Sequence, residues 1–441
     1  MLGSFVTVAS LSQVVYILNP DNVKVLFPDS EHSQVPNFPS CVDRHSPFIP
    51  GSVGYDFDEE YGQHSGPKHF IRALLNSSLV SQSVHRSRFI YINLNCMYRL
   101  LLAATHNMEG EVAKSECHSN MKCPFETIQT FLSVVMRSPR WLKNAGRDFI
   151  IYAPHPLQLQ PWSGVKTCKE ANFRPILVVP EQIRCLEKHT YDMLIHETII
   201  APYHSYYSHY DNWNAVNDRK YLLTAHAGCV GNGMRGKIFS SILEHAVTKQ
   251  PLSISCRSQL NESEYAKVLF ASKFCLILPG DTQSSKRLSD VVLSGCIPTF
   301  VGPPFHTLPF SDAVAYEDAA LFFHVNNHTW YESTDPQQRG FLECDVMSPK
   351  CWFDTALLRK GLLYHVNEVA DIVPLLESML DADILRLRAG LSHSKPAFIF
   401  SDTFRVTGDL SAEGQIMASL LQISKAAAAK KAIQQLLRTV T

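Results

Sequence analysis

Residues 274 to 300 read Phe274-Cys-Leu-Ile-Leu-Pro-Gly-Asp-Thr-Gln-Ser-Ser-Lys-Arg-Leu-Ser-Asp-Val-Val-Leu-Ser-Gly-Cys-Ile-Pro-Thr-Phe300. An apolar strand runs into a glycine turn, hydroxyl-bearing residues suited to a cap open a helix near Ser284 or Ser285, and a second glycine turn leads into another strand. The first turn of such a helix has unpaired amides that can receive a diphosphate. Arg287 offers a guanidinium fork to phosphate oxygens, and Asp290, three residues on, can accept hydrogen bonds from a ribose diol. The alternative is a capped structural helix whose Arg287 and Asp290 form a surface pair. Gly280 permits close approach of the backbone, and Asp281 reads as a turn or cap residue. The run lacks the Gly-Lys-Ser/Thr ending of a Walker loop and is not a dinucleotide fingerprint.

The same alternation extends outward from this stretch. Strands are expected at Tyr221–Ala225, Leu252–Ser255, Phe274–Leu278 and Ile297–Val301, with helices over 234–246, 262–271 and 284–294. Earlier, strands are expected at Arg88–Leu94, Asp148–Ala153, Pro175–Val179 and Thr198–Ala201, with a helix from Pro124 to Met136. This is the spacing of open, mostly parallel sheets with helices on their faces, which bind ligands beyond the carboxyl ends of their strands. The polar stretch from Tyr203 to Asn217 interrupts the pattern and reads as a linker. Residues 360 to 390 read as two helices, and the last helix, from Glu413 to Arg438, as a peripheral or frayed tail with an alanine run.

The chain has 441 residues, too many for one ordinary core, and its 45% hydrophobic content is enough to fill two. The expected organisation is an N-terminal segment over 1–54, a first α/β domain over 55–210, a second α/β domain over 211–400 and a helical tail over 401–441. A formal charge of -1 gives no long-range attraction for nucleic acid or an anionic membrane, so nucleic acid is not an expected partner. The apolar run from Val6 to Leu18 is short of the roughly 20 residues that cross a bilayer, and no basic region precedes it. Twelve cysteines leave structural disulfides, buried thiols and a metal site open, although the near pairs Cys117/Cys123 and Cys344/Cys351 lack zinc-knuckle spacing. Asn76, Asn261 and Asn327 begin glycosylation triplets, which are compatible with a secretory lumen. Asp56 and Asp58 read as a solvated acidic turn, with metal coordination beneath a diphosphate as the alternative.

Two further stretches carry candidate chemistry. Ala227-Gly-Cys-Val-Gly-Asn-Gly-Met-Arg-Gly-Lys-Ile238 places Arg235 and Lys237 at a helix start, where the helix field disfavours a cation unless an anion is bound. In Gly146-Arg-Asp-Phe-Ile-Ile-Tyr-Ala-Pro-His155 a histidine follows a strand, where an imidazole can take the proton of an acceptor hydroxyl. A structural role is the competing reading of His155.

Taken together, Arg140-Trp-Leu-Lys-Asn-Ala-Gly-Arg-Asp148, Thr198-Ile-Ile-Ala-Pro-Tyr203, Gly233-Met-Arg235, Ser272-Lys-Phe-Cys-Leu276, Pro279-Gly-Asp-Thr282, Ser284-Ser-Lys-Arg-Leu-Ser-Asp290, Ser294-Gly-Cys-Ile-Pro298 and Leu308-Pro-Phe310 resemble the exostosin-like family of glycosyltransferases, family 47, in its plant and algal branch. The resemblance spans about residues 55 to 400. It implies a GT-B fold of two Rossmann-like α/β domains facing across a cleft, and inverting transfer from a nucleotide sugar, often UDP-linked, to a glycan or glycoprotein acceptor. The first domain, 55–210, is then the acceptor side and the second, 211–400, the nucleotide-sugar-binding side. Arg287 and Asp290 match the family arginine and acid of the donor helix, and Arg235 its basic turn. On this reading Arg235, Gly280, Ser284, Ser285, Arg287 and Asp290 hold the donor. His155 is the expected base, with Asp148 as a weaker candidate, and neither a metal nor another cofactor is expected. The resemblance further implies the Golgi lumen, a type II membrane form anchored outside this sequence, and polysaccharide biosynthesis. Oligomers with itself or with other transferases belong to the same expectation. The chain departs from the family at Phe149 and Pro156, where histidine and aspartate are frequent, and at Thr198, where aspartate is common. A non-catalytic member that binds glycan or supports a partner transferase is the competing reading, and another two-domain sugar-binding protein a third.

Overall fold

The structure is a computed structural model that describes residues 13–38, 65–94, 124–153, 174–180, 198–205, 207, 219–229, 233–256, 260–278, 285–301, 308–326, 363–401, 404 and 409–440. The chain forms two compact units, Met1–Ala201 with Phe400–Thr441 and Pro202–Ile399.

In the first unit the described elements are β1 (Val15–Leu18), α1 (Gly66–Leu75), β2 (Phe89–Ile92), α2 (Pro124–Met136), α3 (Pro139–Asn144), β3 (Phe149–Tyr152), β4 (Ile176–Val179) and β5 (Thr198–Ile200). The strands lie side by side in sequence order, all parallel. Every residue of β2, β3 and β4 is buried, as continuous apolar runs in a sheet covered on both faces must be. Ile90, Ile92, Phe131, Val135, Trp141, Phe149 and Ile151 belong to one core. The apolar run read against membrane spanning ends in β1, the edge strand beside β2. Among the described residues no helix is long and apolar enough to cross a membrane.

Arg140 and Asp148 form a clamp at the amino end of β3. Ser138 opens α3 by accepting from the Trp141 amide at 3.3 Å. Arg140 Nε then donates to Asp148 Oδ2 at 2.6 Å, and its other nitrogens donate to the carbonyls of Val84 and Ser87. Trp141 lies beneath Gly146, which adopts φ +79° and whose missing side chain would meet the indole ring. Arg140 through Asp148 therefore reads physically as a structural corner.

The second unit contains β6 (Tyr221–His226), α4 (Gly233–His245), β7 (Leu252–Ser255), α5 (Glu262–Phe270), β8 (Ser272–Ile277), α6 (Lys286–Ser294), β9 (Ile297–Val301), α7 (Tyr316–Ala319), β10 (Leu321–Val325), β11 (Leu363–Val366), α8 (Ile372–Glu377) and α9 (Asp381–Ser394). The strand order is β11-β10-β9-β8-β6-β7, with every described pairing parallel. The chain steps from β6 to β7 on one side and then to β8 on the other. In open parallel sheets such a reversal is where ligands bind, here beyond the carboxyl ends of β6 and β8. Residues 363–366 form a strand where only helices were expected, and the helices begin after them. Among the described residues two disulfides are formed, Cys229–Cys256 between the turn after β6 and the end of β7, and Cys275–Cys296 between β8 and the residue before β9.

Two connecting stretches are packed where the sequence suggested loose chain. His204, Ser205 and Tyr207, in the expected linker, are buried. The last helix, α10 (Ala412–Val440), belongs to the first unit, and Ala412, Glu413, Ile416, Met417, Leu420 and Leu421 at its start are buried. Glu413 accepts from the Ser401 amide at 2.8 Å. The expectation of a frayed tail is corrected for this start of α10, because its apolar side supplies core.

Gly390 in α9 faces α7 so closely that an added methyl would meet the Asp318 backbone carbonyl. Alanine gains about 1 kcal/mol of helix propensity over glycine, but overpacking against a backbone that cannot rotate aside costs about 1–3 kcal/mol or more. Gly390→Ala is expected to lower the unfolding temperature, and thermal denaturation checks it.

Candidate functional site

The site grows from the local rules of α5 and α6. Asn261 caps α5 by accepting from the Glu264 amide at 2.9 Å, while the Glu264 side chain accepts from the Asn261 amide at 3.0 Å. This reciprocal box places Tyr265 in the first turn of α5. Ser285 has extended backbone and accepts from the Arg287 amide at 3.3 Å, which starts α6. Gly295, at φ 68°, ends it and allows the immediate return through Cys296 into β9. The first turn of α6 contains Lys286 and Arg287 and no acidic residue. Two cations at the positive end of a helix favour an anion there.

Arg287 lies over the Tyr265 ring, with its guanidinium carbon 5.7 Å from the centroid. This contact restrains the fork and contributes about 0.5–1 kcal/mol. Burial pushes the Tyr265 phenol up to about 12, with Arg287 opposing the rise and Asp290 adding to it. Tyr265 therefore stays a neutral hydrogen-bonding group at physiological pH.

Asp290 is only 4% exposed, and its Oδ1 accepts from Ser205 Oγ at 2.6 Å. Ser205 Oγ also accepts from the Tyr207 amide at 3.3 Å. The carboxylate thus secures the chain entering the second unit to α6, 85 residues further along the sequence.

His226 closes β6. Its ring stands 6.3 Å from that of Tyr265 at 72°, and Nε2 lies 2.9 Å from Ser253 Oγ. Burial, then the charge of Arg287, holds the imidazole below its usual pKa. Across the following turn, Arg235 Nη1 donates to the Gly228 carbonyl at 3.1 Å, and the Cys229–Cys256 disulfide fastens this turn to the end of β7.

The second unit thus brings Ser285, Arg287 and Asp290 together on α6, and Arg235 sits in the first turn of α4. Gly280, Ser284 and His155 lie outside the described residues, as do Asp56, Asp58 and the near cysteine pairs. Asp148 is at the amino end of β3, paired with Arg140, whereas the ligand side of a parallel sheet is its carboxyl end. Sequence reasoning missed His226, Tyr265 and Ser205. The rule that singled out His155, a histidine at the end of an apolar strand, applies equally to His226. Among the described residues no group of three or more His, Cys, Asp or Glu is placed to hold a metal ion.

A guanidinium braced on a ring, helix amides and neutral hydrogen-bonding side chains at a switch point suit a phosphorylated ligand. Residues 39–332 match the Exostosin GT47 domain. The chain is also similar to "Probable arabinosyltransferase ARAD1" of Arabidopsis thaliana, at 29% identity over 191 residues, which covers 42% of this chain and 40% of that protein. With the domain match covering well over half of its length, the chain belongs to the exostosin GT47 family of glycosyltransferases.

Proposed function

We propose that the protein is an inverting glycosyltransferase of the GT-B type that moves a sugar from a nucleotide donor, UDP-linked, to a glycan or glycoprotein acceptor. The observation that carries this reading is Arg287, held over Tyr265 at the start of α6 beside the reversal between β6 and β8. The second unit takes the donor and the first the acceptor. Arg287, Arg235 and the backbone from Gly280 through Ser285 hold the diphosphate, and Asp290 positions the donor helix through Ser205. An acceptor hydroxyl oxygen attacks the anomeric carbon as the bond to the diphosphate oxygen breaks. The hydroxyl proton passes to His155, and the leaving diphosphate takes the bonding pair, stabilised by Arg287 and the helix amides. The two disulfides support an oxidising compartment, consistent with the Golgi lumen.

The test is turnover by purified protein of a panel of UDP-sugars with oligosaccharide acceptors. The name of the Arabidopsis thaliana relative makes UDP-arabinose the first donor to try. Release of UDP with a lengthened acceptor is the expected result. Nucleotide binding without turnover across the panel would favour a non-catalytic member, and no nucleotide binding by folded protein would remove the donor-site assignment.

A further inference from the structure

β6 ends in His226, which is 8% exposed and whose Nδ1 is shut off from solvent with no hydrogen-bond partner among the described residues. The opposite nitrogen, Nε2, meets Ser253 Oγ at 2.9 Å, and Thr224 Oγ1 donates to the Ser253 carbonyl at 2.9 Å, so the β7 residue beside the imidazole is itself fixed. Buried polar atoms are nearly always paired in native proteins, and an orphan at a strand's carboxyl end, on the ligand side of the sheet, suits a ligand atom where the described residues supply none.

The surroundings restrict what that atom is. Among the described residues the titratable and charged neighbours on the packed elements are Tyr265 from α5, whose ring lies 6.3 Å away, Arg287 from α6, whose charge helps to keep the imidazole neutral, and Asp290, one turn further along α6, whose charge acts on Tyr265 and whose Oδ1 accepts from Ser205. A neutral imidazole carries one N–H and one lone pair. If the Ser253 hydroxyl donates to Nε2, the proton resides on Nδ1, next to a cationic fork and a phenol that stays protonated. The charge acting on the imidazole is that of Arg287, with the Asp290 carboxylate turned to Ser205, so an anionic oxygen suits Nδ1.

We propose that His226 is a second side-chain contact to the donor's diphosphate, its Nδ1–H donating to a phosphate oxygen that Arg287 also holds, with Ser253 fixing the tautomer. The inference rests on the donor-site reading above and adds to it a residue and the part of the ligand that the residue recognises. His226 contributes to affinity for the diphosphate and not for the nucleoside.

Calorimetric binding of UDP and of uridine separates these parts, with GDP and guanosine as the substitute pair if UDP does not bind. His226→Phe preserves a ring against Tyr265 and removes both nitrogens. It is expected to weaken UDP binding about tenfold or more, the usual scale for a lost hydrogen bond to a charged group, and to leave uridine binding unchanged. In the unaltered protein with 15N-labelled histidine, UDP is expected to shift the Nδ1 resonance of His226 and uridine to leave it in place, a readout that does not depend on how the variant folds. Unchanged UDP affinity in folded His226→Phe, an equal loss for UDP and uridine, or a silent Nδ1 resonance at saturating UDP would overturn the inference while leaving the donor site standing. Failure of the unaltered protein to bind either nucleoside diphosphate would instead remove the donor-site reading and this contact with it.

Discussion

Arg287→Ala is expected to lower donor turnover about 100- to 1000-fold, the scale seen when a single preorganised donor to developing negative charge is removed. The diphosphate gains charge as the glycosidic bond breaks, and a guanidinium already braced over Tyr265 at 5.7 Å pays no reorganisation cost to meet it. Folding should hardly change, because Arg287 is only partly buried and the ring contact it gives up contributes about 0.5–1 kcal/mol. Arg287→Lys keeps the charge but cannot reproduce the planar fork, so an intermediate loss of about tenfold is expected. Steady-state kinetics with the best donor, set beside thermal unfolding of both variants, checks the ordering. Turnover that survives in folded Arg287→Ala would take Arg287 out of the site.

Much of this site could be read along the chain, because its parts are local. The helix expected over 284–294 runs from Lys286 to Ser294 with Ser285 as its cap, and the strands on either side fall where their apolar runs lie. Arg287 and Asp290 share that helix, so spacing alone puts them together. Ser205 was hidden for the opposite reason. Its partner Asp290 is 85 residues away, and a stretch of Tyr, His, Ser and Asn has the composition of a linker even where it is seated in a core. β1, β10 and β11 were missed because runs of four or five residues carry no period that separates a strand from other buried chain.

Asp148 shows a different limit. It stands just before β3, so its place at the amino end of a parallel strand was already legible, and that position argues against chemistry at the ligand side. What the sequence did not disclose was the partner. Arg140 spends its nitrogens on Asp148, Val84 and Ser87, and so joins α3, β3 and the approach to β2. A stretch that carries a family resemblance can have a structural role, and the contacts of Arg140 and Asp148 are of that kind.

Arg219→Met is expected to be the most destabilising of the substitutions considered, by about 3–5 kcal/mol. Arg219 is 4% exposed and precedes β6 at the amino end of the sheet, opposite the carboxyl ends of its strands. Its Nη1 donates to the carbonyls of Leu269 at 3.3 Å and Ser272 at 2.6 Å, and Nη2 to that of Ser294 at 3.1 Å. Leu269 is in the last turn of α5 and Ser294 ends α6, where helix carbonyls lack partners and carry partial negative charge. Burial, then the charge of Arg388, pulls the guanidinium pKa down to about 9, which still leaves it charged at neutral pH. Buried ion pairs between side chains can often be replaced by apolar residues, but here the acceptors are backbone carbonyls that no substitution removes. Methionine fills a similar volume and leaves all three without this donor. The loss corresponds to a fall in unfolding temperature on the order of 10 °C for a unit of this size. Because α5 and α6 carry Tyr265 and Arg287, the same guanidinium that holds their far ends also sets the spacing of these two side chains. Thermal unfolding followed by circular dichroism decides the point, and a shift under about 2 °C would mean that the carbonyls find other partners.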